Sequence, residues 1–529
     1  MNRWNALALL LALAGALALR CPRLDARPLH NDEAVNAFKL AALLEKGEYA
    51  YDPNEFHGPT LYYAARPFCR LSSGRDARLL DDGKLRWVTV AFGVGLILLL
   101  LLLADGLGRL ATAWAAIFVA VSPAMVFYSR YFIHEMLLVF FSLLTIAAGW
   151  RSAQTRKPFW AVITGAGLGL MYATKETFIF SVFALGVAAA ATLAWNRWWV
   201  RRSAIATGRD LGPRTKPERA WSWKRVALVL AAAVLVSQVL FSSCFTNASG
   251  PLDSLRTYLP WIKRAGGDSA HIHPWYFYFE RLVWFHPRNG PVWTEGLILL
   301  LAGVGAVAAF FSNRTMLPKP TLARFLAFYT SMLTVIYCLI PYKTPWCLMN
   351  FWIGMILLAG VGAAVLLRLW QSRVAHALIL AALAMGTGHL AWESWRASQT
   401  YAANRNNPYV YAQTAPDLLK LVARVEGIAR VAPTGPDTVI KVIAPESYWP
   451  LPWYLRGFKN IGWWDDMPAD PYAPIMIVSA KHRAALDEKS GKAYLMTGLY
   501  ELRPGTFLEL YVEIELWKQF VATLPRDGD

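Results

Sequence analysis

The chain is poor in charge. Asp, Glu, Lys and Arg make up 17% of its 529 residues, where soluble globular chains carry about a quarter, and this shortage excludes an ordinary soluble multidomain protein. Cysteine is scarce too. The five residues Cys21, Cys69, Cys244, Cys338 and Cys347 show no CxxC or other metal-ligand spacing, which excludes a disulfide scaffold or a zinc module. Cys21 and Cys69 bracket one loop and could pair, but free thiols are the expectation. There is no internal repeat and no phosphate-cradling glycine loop: Gly165, Gly167 and Gly169 fall inside an apolar run, where close helix packing accounts for them.

What is abundant is apolar and aromatic: 56% of residues are hydrophobic and 14% are Phe, Trp or Tyr. Runs near the roughly twenty residues that cross a bilayer recur through the first three quarters of the chain. They lie at 4–19, 85–103, 110–127, 131–150, 159–172, 178–195, 226–245, 292–311, 325–340, 346–367 and 374–392, about eleven spans. The fifth and ninth are short. No small-x-small cleavage site precedes Arg20-Cys21-Pro22, so the first run is expected to be a retained helix rather than a signal peptide.

The net charge of +18 then acquires a location. With the N-terminus inside, the short basic loops all fall in the cytoplasm, including the Arg/Lys-rich linker 197–225, and carry most of the excess against only Asp105, Asp210 and Glu218. This distribution follows the positive-inside rule and argues against nucleic acid as a partner. The long loop 21–84 and everything after about Glu393 fall outside. That tail changes character: a helical pattern over 415–428 precedes β-like runs at 438–443, 475–478, 494–502 and 507–516, enough for one compact α/β domain. The expected fold class is therefore an α-helical polytopic membrane protein, domain 1–392, followed by an extracytoplasmic α/β domain, 393–529.

Charge at membrane depth is costly and marks sites. On this topology the isolated charges collect outside: Asp32 and Glu33 after the first span, Arg130 and Glu135 between the third and fourth, Lys175 and Glu176 between the fifth and sixth, Lys343 between the ninth and tenth. His30-Asn31-Asp32-Glu33 opens an amphipathic pattern expected to lie on the membrane surface. Capping alone is the plain alternative for the two acids, mutual neutralisation for Glu135, and snorkelling for Lys175 and Lys343. His57 lies in the tight turn His57-Gly58-Pro59. His271-Ile272-His273-Pro274-Trp275 offers two histidines without a third placed ligand, which is weak support for a metal.

The order of these features resembles the polyprenyl- and dolichyl-phosphate-sugar-dependent glycosyltransferases of the GT-C membrane fold, a superfamily that includes protein O-mannosyltransferases and lipid A aminoarabinose transferases. The features are an acidic pair after the first span, a His-x-Pro turn in the same loop, Ser129-Arg130 followed by Glu135, and Gly167-Leu168 followed by Thr174-Lys175. Tyr342-Lys343-Thr344-Pro345-Trp346, His273-Pro274-Trp275-Tyr276 and Trp449-Pro450-Leu451-Pro452-Trp453-Tyr454-Leu455-Arg456 are similar to a prokaryotic subgroup labelled flippase activity-associated proteins. The resemblance implies Asp32, Glu33, Glu135 and His57 as catalytic residues, though Gly58 stands where relatives have a first proline. It implies Arg130, Lys175 and Lys343 at the donor phosphate, and His30, Tyr342, His273 and Trp275 at the substrate. The implied donor is a polyprenyl-phosphate-linked sugar and the acceptor a hydroxyl of a glycan, lipid or protein, with inversion at the anomeric carbon. A divalent ion such as Mg or Mn at Asp32/Glu33 is a further expectation, and a lipid-sugar flippase, its accessory subunit or a transporter is the alternative reading.

Overall fold

A computed structural model describes residues 3–47, 49–54, 57–207, 221–265, 269, 271–311, 317–370, 372–482 and 493–525. Residues 208–220 of the basic linker expected at 197–225 lie outside them. Seven helices are long and apolar enough to cross a membrane, and the bent pair Arg109–Val121 and Pro123–Ser129 makes an eighth. The shorter apolar helices Ala6–Arg20, Pro158–Tyr172 and Gly296–Phe311 complete the bundle. The outward faces are apolar: Leu11, Phe183, Leu230, Leu300 and Val374 are all exposed, as a lipid-facing surface requires.

Two spans differ from expectation for identifiable reasons. The third bends by 57° between Val121 and Pro123, because Pro123 has no N–H to donate and starts a new helix, capped by Ser122 Oγ at Met125 N–H. The ninth begins at Pro320 rather than Phe325. Its early charge, Arg324, is satisfied inside the bundle by Ala309 C=O (2.8 Å) and Asn196 Oδ1 (2.6 Å). Gly165 and Gly169 do what their spacing suggested. A Cβ at either would lie 2.2 Å from Val229 C=O or 2.5 Å from Ala233 C=O, so two helices touch along their backbones. All five cysteines are free thiols.

The tail builds a five-stranded sheet from β1 (Ile440–Ile443), β2 (Ile461–Trp464), β3 (Ile475–Ser479), β4 (Tyr494–Arg503) and β5 (Thr506–Glu513). Their spatial order is β2-β1-β3-β5-β4, with β1 parallel to both neighbours and the β3–β5–β4 half antiparallel. The helices Asp417–Val431 and Ile514–Val521 cover one face with Leu421, Val425, Ile428 and Leu516 over Val442, Ile477 and Leu510. The run expected to be strand through 516 turns helical at Ile514, and β2 went unanticipated. Ala415 N–H reaches Leu502 C=O of β4 at 2.9 Å, and residues 401–414 lie outside this sheet. They run across the end of the helical bundle, where Tyr409 and Gln413 receive hydrogen bonds from Tyr128 and Tyr131.

Candidate active site at one end of the bundle

The loop after the first helix enters the helix Asn31–Glu45 through a capping box. His30 is the N-cap, its Nδ1 accepting Asp32 N–H at 3.1 Å, and Glu33 reaches back to accept His30 N–H at 2.9 Å. Glu33 also accepts Phe132 N–H at 2.9 Å and four contacts of 2.7 to 3.3 Å from Arg27 and Arg86. Burial by itself would raise the Glu33 carboxyl, but the two guanidinium charges outweigh it and hold the group well below the usual carboxylate range. The expectation of a catalytic Glu33 is corrected here: each oxygen takes three donors, and nothing is left for a substrate proton. The same saturation argues against a divalent ion shared by Asp32 and Glu33. A metal would have to displace two arginines that already neutralise the acid, and no cluster of three or more metal-ligating side chains occurs among the described residues.

Asp32 has the opposite situation. Because His30 and Glu33 do the capping, its carboxylate is released, and the side chain is 39% exposed with His30 Nδ1 as its nearest charged-group atom at 3.9 Å. It stands in the first turn of the helix Asn31–Glu45. The wall around it comes from three distant segments. His273 N–H bonds Pro341 C=O (3.1 Å) and Lys343 N–H bonds His271 C=O (2.8 Å), so 271–273 and 341–343 run side by side. Tyr411 Oη lies 2.7 Å from His271 Nδ1 and 3.2 Å from His273 Nε2. The His271 ring is 4.8 Å from Tyr342, and His30 meets the edge of Trp346 at 5.6 Å. His30, Asp32, His271, His273, Tyr342 and Lys343, drawn from three separate stretches of sequence, therefore share one site.

Lys343 borders it, and Arg281 stacks on Phe277, whose ring also stacks on His273 at 4.2 Å. Lys343 Nζ donates to His273 C=O at 3.1 Å and to Ile340 C=O, with no carboxylate partner among the described residues. Arg281 was not anticipated. Its guanidinium stacks 3.5 Å over Phe277, touches the exposed Glu280 at 3.3 Å, and leaves a buried Nε without a hydrogen bond. Burial depresses the proton affinity of both cations, and an anion bound between them would relieve that cost. Burial lowers His271 and His273, and Arg281 adds to the effect at His273.

The remaining candidates lie elsewhere. Arg130 is withdrawn from the proposed phosphate role because its Nη1 donates to Arg20 C=O (2.7 Å) and Pro22 C=O (2.8 Å) and its Nη2 to Arg23 C=O (3.1 Å), closing the C-terminus of the first helix. Glu135 and Lys175 form a buried ion pair. Burial lowers Lys175, but Glu135 reverses this and raises it above the usual lysine range. His57 Nδ1 pairs with Glu176 at 2.7 Å and its ring stacks on Trp261, apart from Asp32. Gly58 is required there: its N–H donates to Thr174 C=O at 3.1 Å, and a Cβ would lie 2.1 Å from Ala173 C=O, so a proline cannot replace it. Trp275 is 63% exposed and contacts Tyr276, outside the pocket.

The other end of the bundle carries a different set of charges, with Asp105 meeting Lys319 (3.1 Å) and Arg151 (3.6 Å) and Arg225 bonding Ser152 C=O.

Residues 80–249 match the family described as dolichyl-phosphate-mannose-protein mannosyltransferase. No curated protein sequence matches the chain. Among solved structures, ArnT from Cupriavidus metallidurans bound to undecaprenyl phosphate superposes with a TM-score of 0.63 at 15% identity, covering 97% of this chain and 98% of that one. The Archaeoglobus fulgidus oligosaccharyltransferase AglB, in complex with an inhibitory peptide and a dolichol-phosphate, gives 0.52 at 12% identity over 98% and 77%.

Proposed function

The fold is that of the GT-C membrane glycosyltransferases, and the matched segment, a third of the chain, carries a transferase signature; from that premise we propose that the protein transfers a sugar from a polyprenyl-phosphate donor to an acceptor hydroxyl on the extracytoplasmic side of the membrane. The observation that carries this reading is the release of Asp32: a half-open carboxylate in the first turn of its helix, beside a wall in which Lys343 has no carboxylate partner among the described residues.

The chemistry divides naturally between these groups. A phosphate leaving group is already a stable anion and needs fixed positive charge rather than a strong acid. Lys343 and Arg281 supply that charge, and His271, His273 and Tyr411 supply hydrogen bonds. The acceptor hydroxyl must lose its proton as it attacks the anomeric carbon, and Asp32 is the group placed to take it. A single displacement inverts that carbon. The apolar outer surface accommodates the isoprenoid chain while the polar head enters the pocket.

Purified protein in liposomes tests the reading. Transfer of sugar from an added polyprenyl-phosphate donor to an acceptor is expected; movement of donor lipid across the bilayer without transfer would instead establish a flippase.

A further inference from the structure

The turn that presents Asp32 is held from outside the bundle. Leu29 is fully buried; its N–H donates to Tyr454 Oη at 2.7 Å and its C=O accepts Thr414 Oγ1 at 2.7 Å. The next residue, His30, meets Tyr411 C=O through Nε2 at 3.2 Å. All three partners come from the C-terminal quarter of the chain.

Tyr454 is in turn fixed by the bundle. Its Oη donates to Asp82 Oδ2 at 2.5 Å, and Trp453 Nε1 donates to Asp82 Oδ1 at 3.3 Å. Arg456 stacks 3.8 Å over Trp453 and reaches Leu80 C=O at 2.6 Å, while Trp449 and Trp453 set their edges against Phe38 of the helix Asn31–Glu45 at 5.5 and 5.8 Å. The segment Trp449–Arg456 is therefore a latch. One Tyr hydroxyl bridges the start of a spanning helix, at Asp82, to the turn three residues before Asp32.

We propose that this latch positions the catalytic carboxylate, making Tyr454 a positioning residue and the tail a working part of the transfer site. Nothing in 449–456 reaches the pocket itself; it acts through Leu29 and His30, whose capping geometry decides where Asp32 points. The inference rests on Asp32 being the base, but the latch has a signature independent of transfer. Among the described residues, Tyr454 Oη is the acceptor of the Leu29 N–H.

The test is hydrogen exchange on the full-length protein in nanodiscs, comparing wild type with Tyr454→Phe, which keeps the ring, and Thr414→Val, which frees the other side of Leu29. Loss of one hydrogen bond is expected to speed exchange over residues 29–34 by about fivefold to tenfold, while the strands β1 and β3 keep wild-type protection. In the same samples kcat is expected to fall about tenfold with the Kd for polyprenyl phosphate unchanged. Unchanged exchange over 29–34 in both variants overturns the latch, and so does faster exchange that appears only together with loss of protection in the sheet. If exchange responds as expected but no donor supports transfer in wild type, the transferase reading fails and the latch stands as a structural coupling.

Discussion

Asp32 and Glu33 are adjacent acids whose surroundings give them opposite behaviours under the same perturbation. Glu33→Gln keeps the shape but removes the charge that balances Arg27 and Arg86, and turns an amide NH2 toward guanidinium donors. Breaking a buried ion pair by deleting one partner costs about 3 to 5 kcal/mol, and here two cations are orphaned, so the upper end applies. Asp32→Asn alters a half-open side chain that caps nothing, and should change stability by no more than about 0.5 kcal/mol. Its effect falls on chemistry, where loss of a general base costs about 10² to 10⁴ in rate. Thermal unfolding in detergent, followed by sugar transfer at matched concentrations of folded protein, separates the two. The expected pattern is a folded, inactive Asp32→Asn protein and a poorly folded Glu33→Gln protein. Equal destabilisation of both, or an Asp32→Asn variant that retains more than a tenth of wild-type transfer, refutes the reasoning.

Other consequences can be checked in the same preparations. Lys175→Met or Glu135→Met alone should destabilise by about 3 to 5 kcal/mol, whereas the double replacement should recover most of that loss; non-recovery in thermal unfolding would mean the pair is not closed as described. Arg281→Ala should weaken binding of polyprenyl phosphate about tenfold or more, with Arg281→Lys intermediate, and equal binding by all three proteins would remove Arg281 from the pocket. Burial, helped by His57 and Lys175, lowers His134 well below the ordinary histidine range. A depressed folded-state value means the unfolded chain takes up the proton first, so stability is present above about pH 6.5 and is lost as pH falls below it. His134→Gln should flatten that slope between about pH 6.5 and 5.

The membrane class, the tail's α/β character and the helix at 31–45 were legible in sequence because long apolar runs, alternation and a capping pattern are local signals. Topology led to the expectation that Asp32, Arg130, Glu135, Lys175 and Lys343 meet in one outer cavity; Arg130 instead closes the first helix and Glu135 pairs with Lys175. What each charge does there was not legible. Arg130 and Arg281 read alike as single basic residues beside aromatics; only folding puts three backbone carbonyls around the first and leaves the second with an unpaired Nε. Glu33 and Asp32 differ by one helical position, and the partners that silence Glu33 lie at Arg86 and Phe132, far along the chain. The strand β2 was missed because Ile461-Gly462-Trp463-Trp464 is four residues long and carries a glycine. The start of the ninth span was hidden by Arg324, whose cost is met by Ala309 and Asn196 on other helices.

The central claim is that Asp32, Lys343 and Arg281 bound a single anion-accepting pocket. Cryo-electron microscopy of the protein with added polyprenyl phosphate tests it most directly. The account predicts phosphate density within hydrogen-bond reach of Lys343 and Arg281, across the pocket from the Asp32 carboxylate; phosphate bound instead at Arg130, or among the basic residues at the opposite end of the bundle, contradicts it.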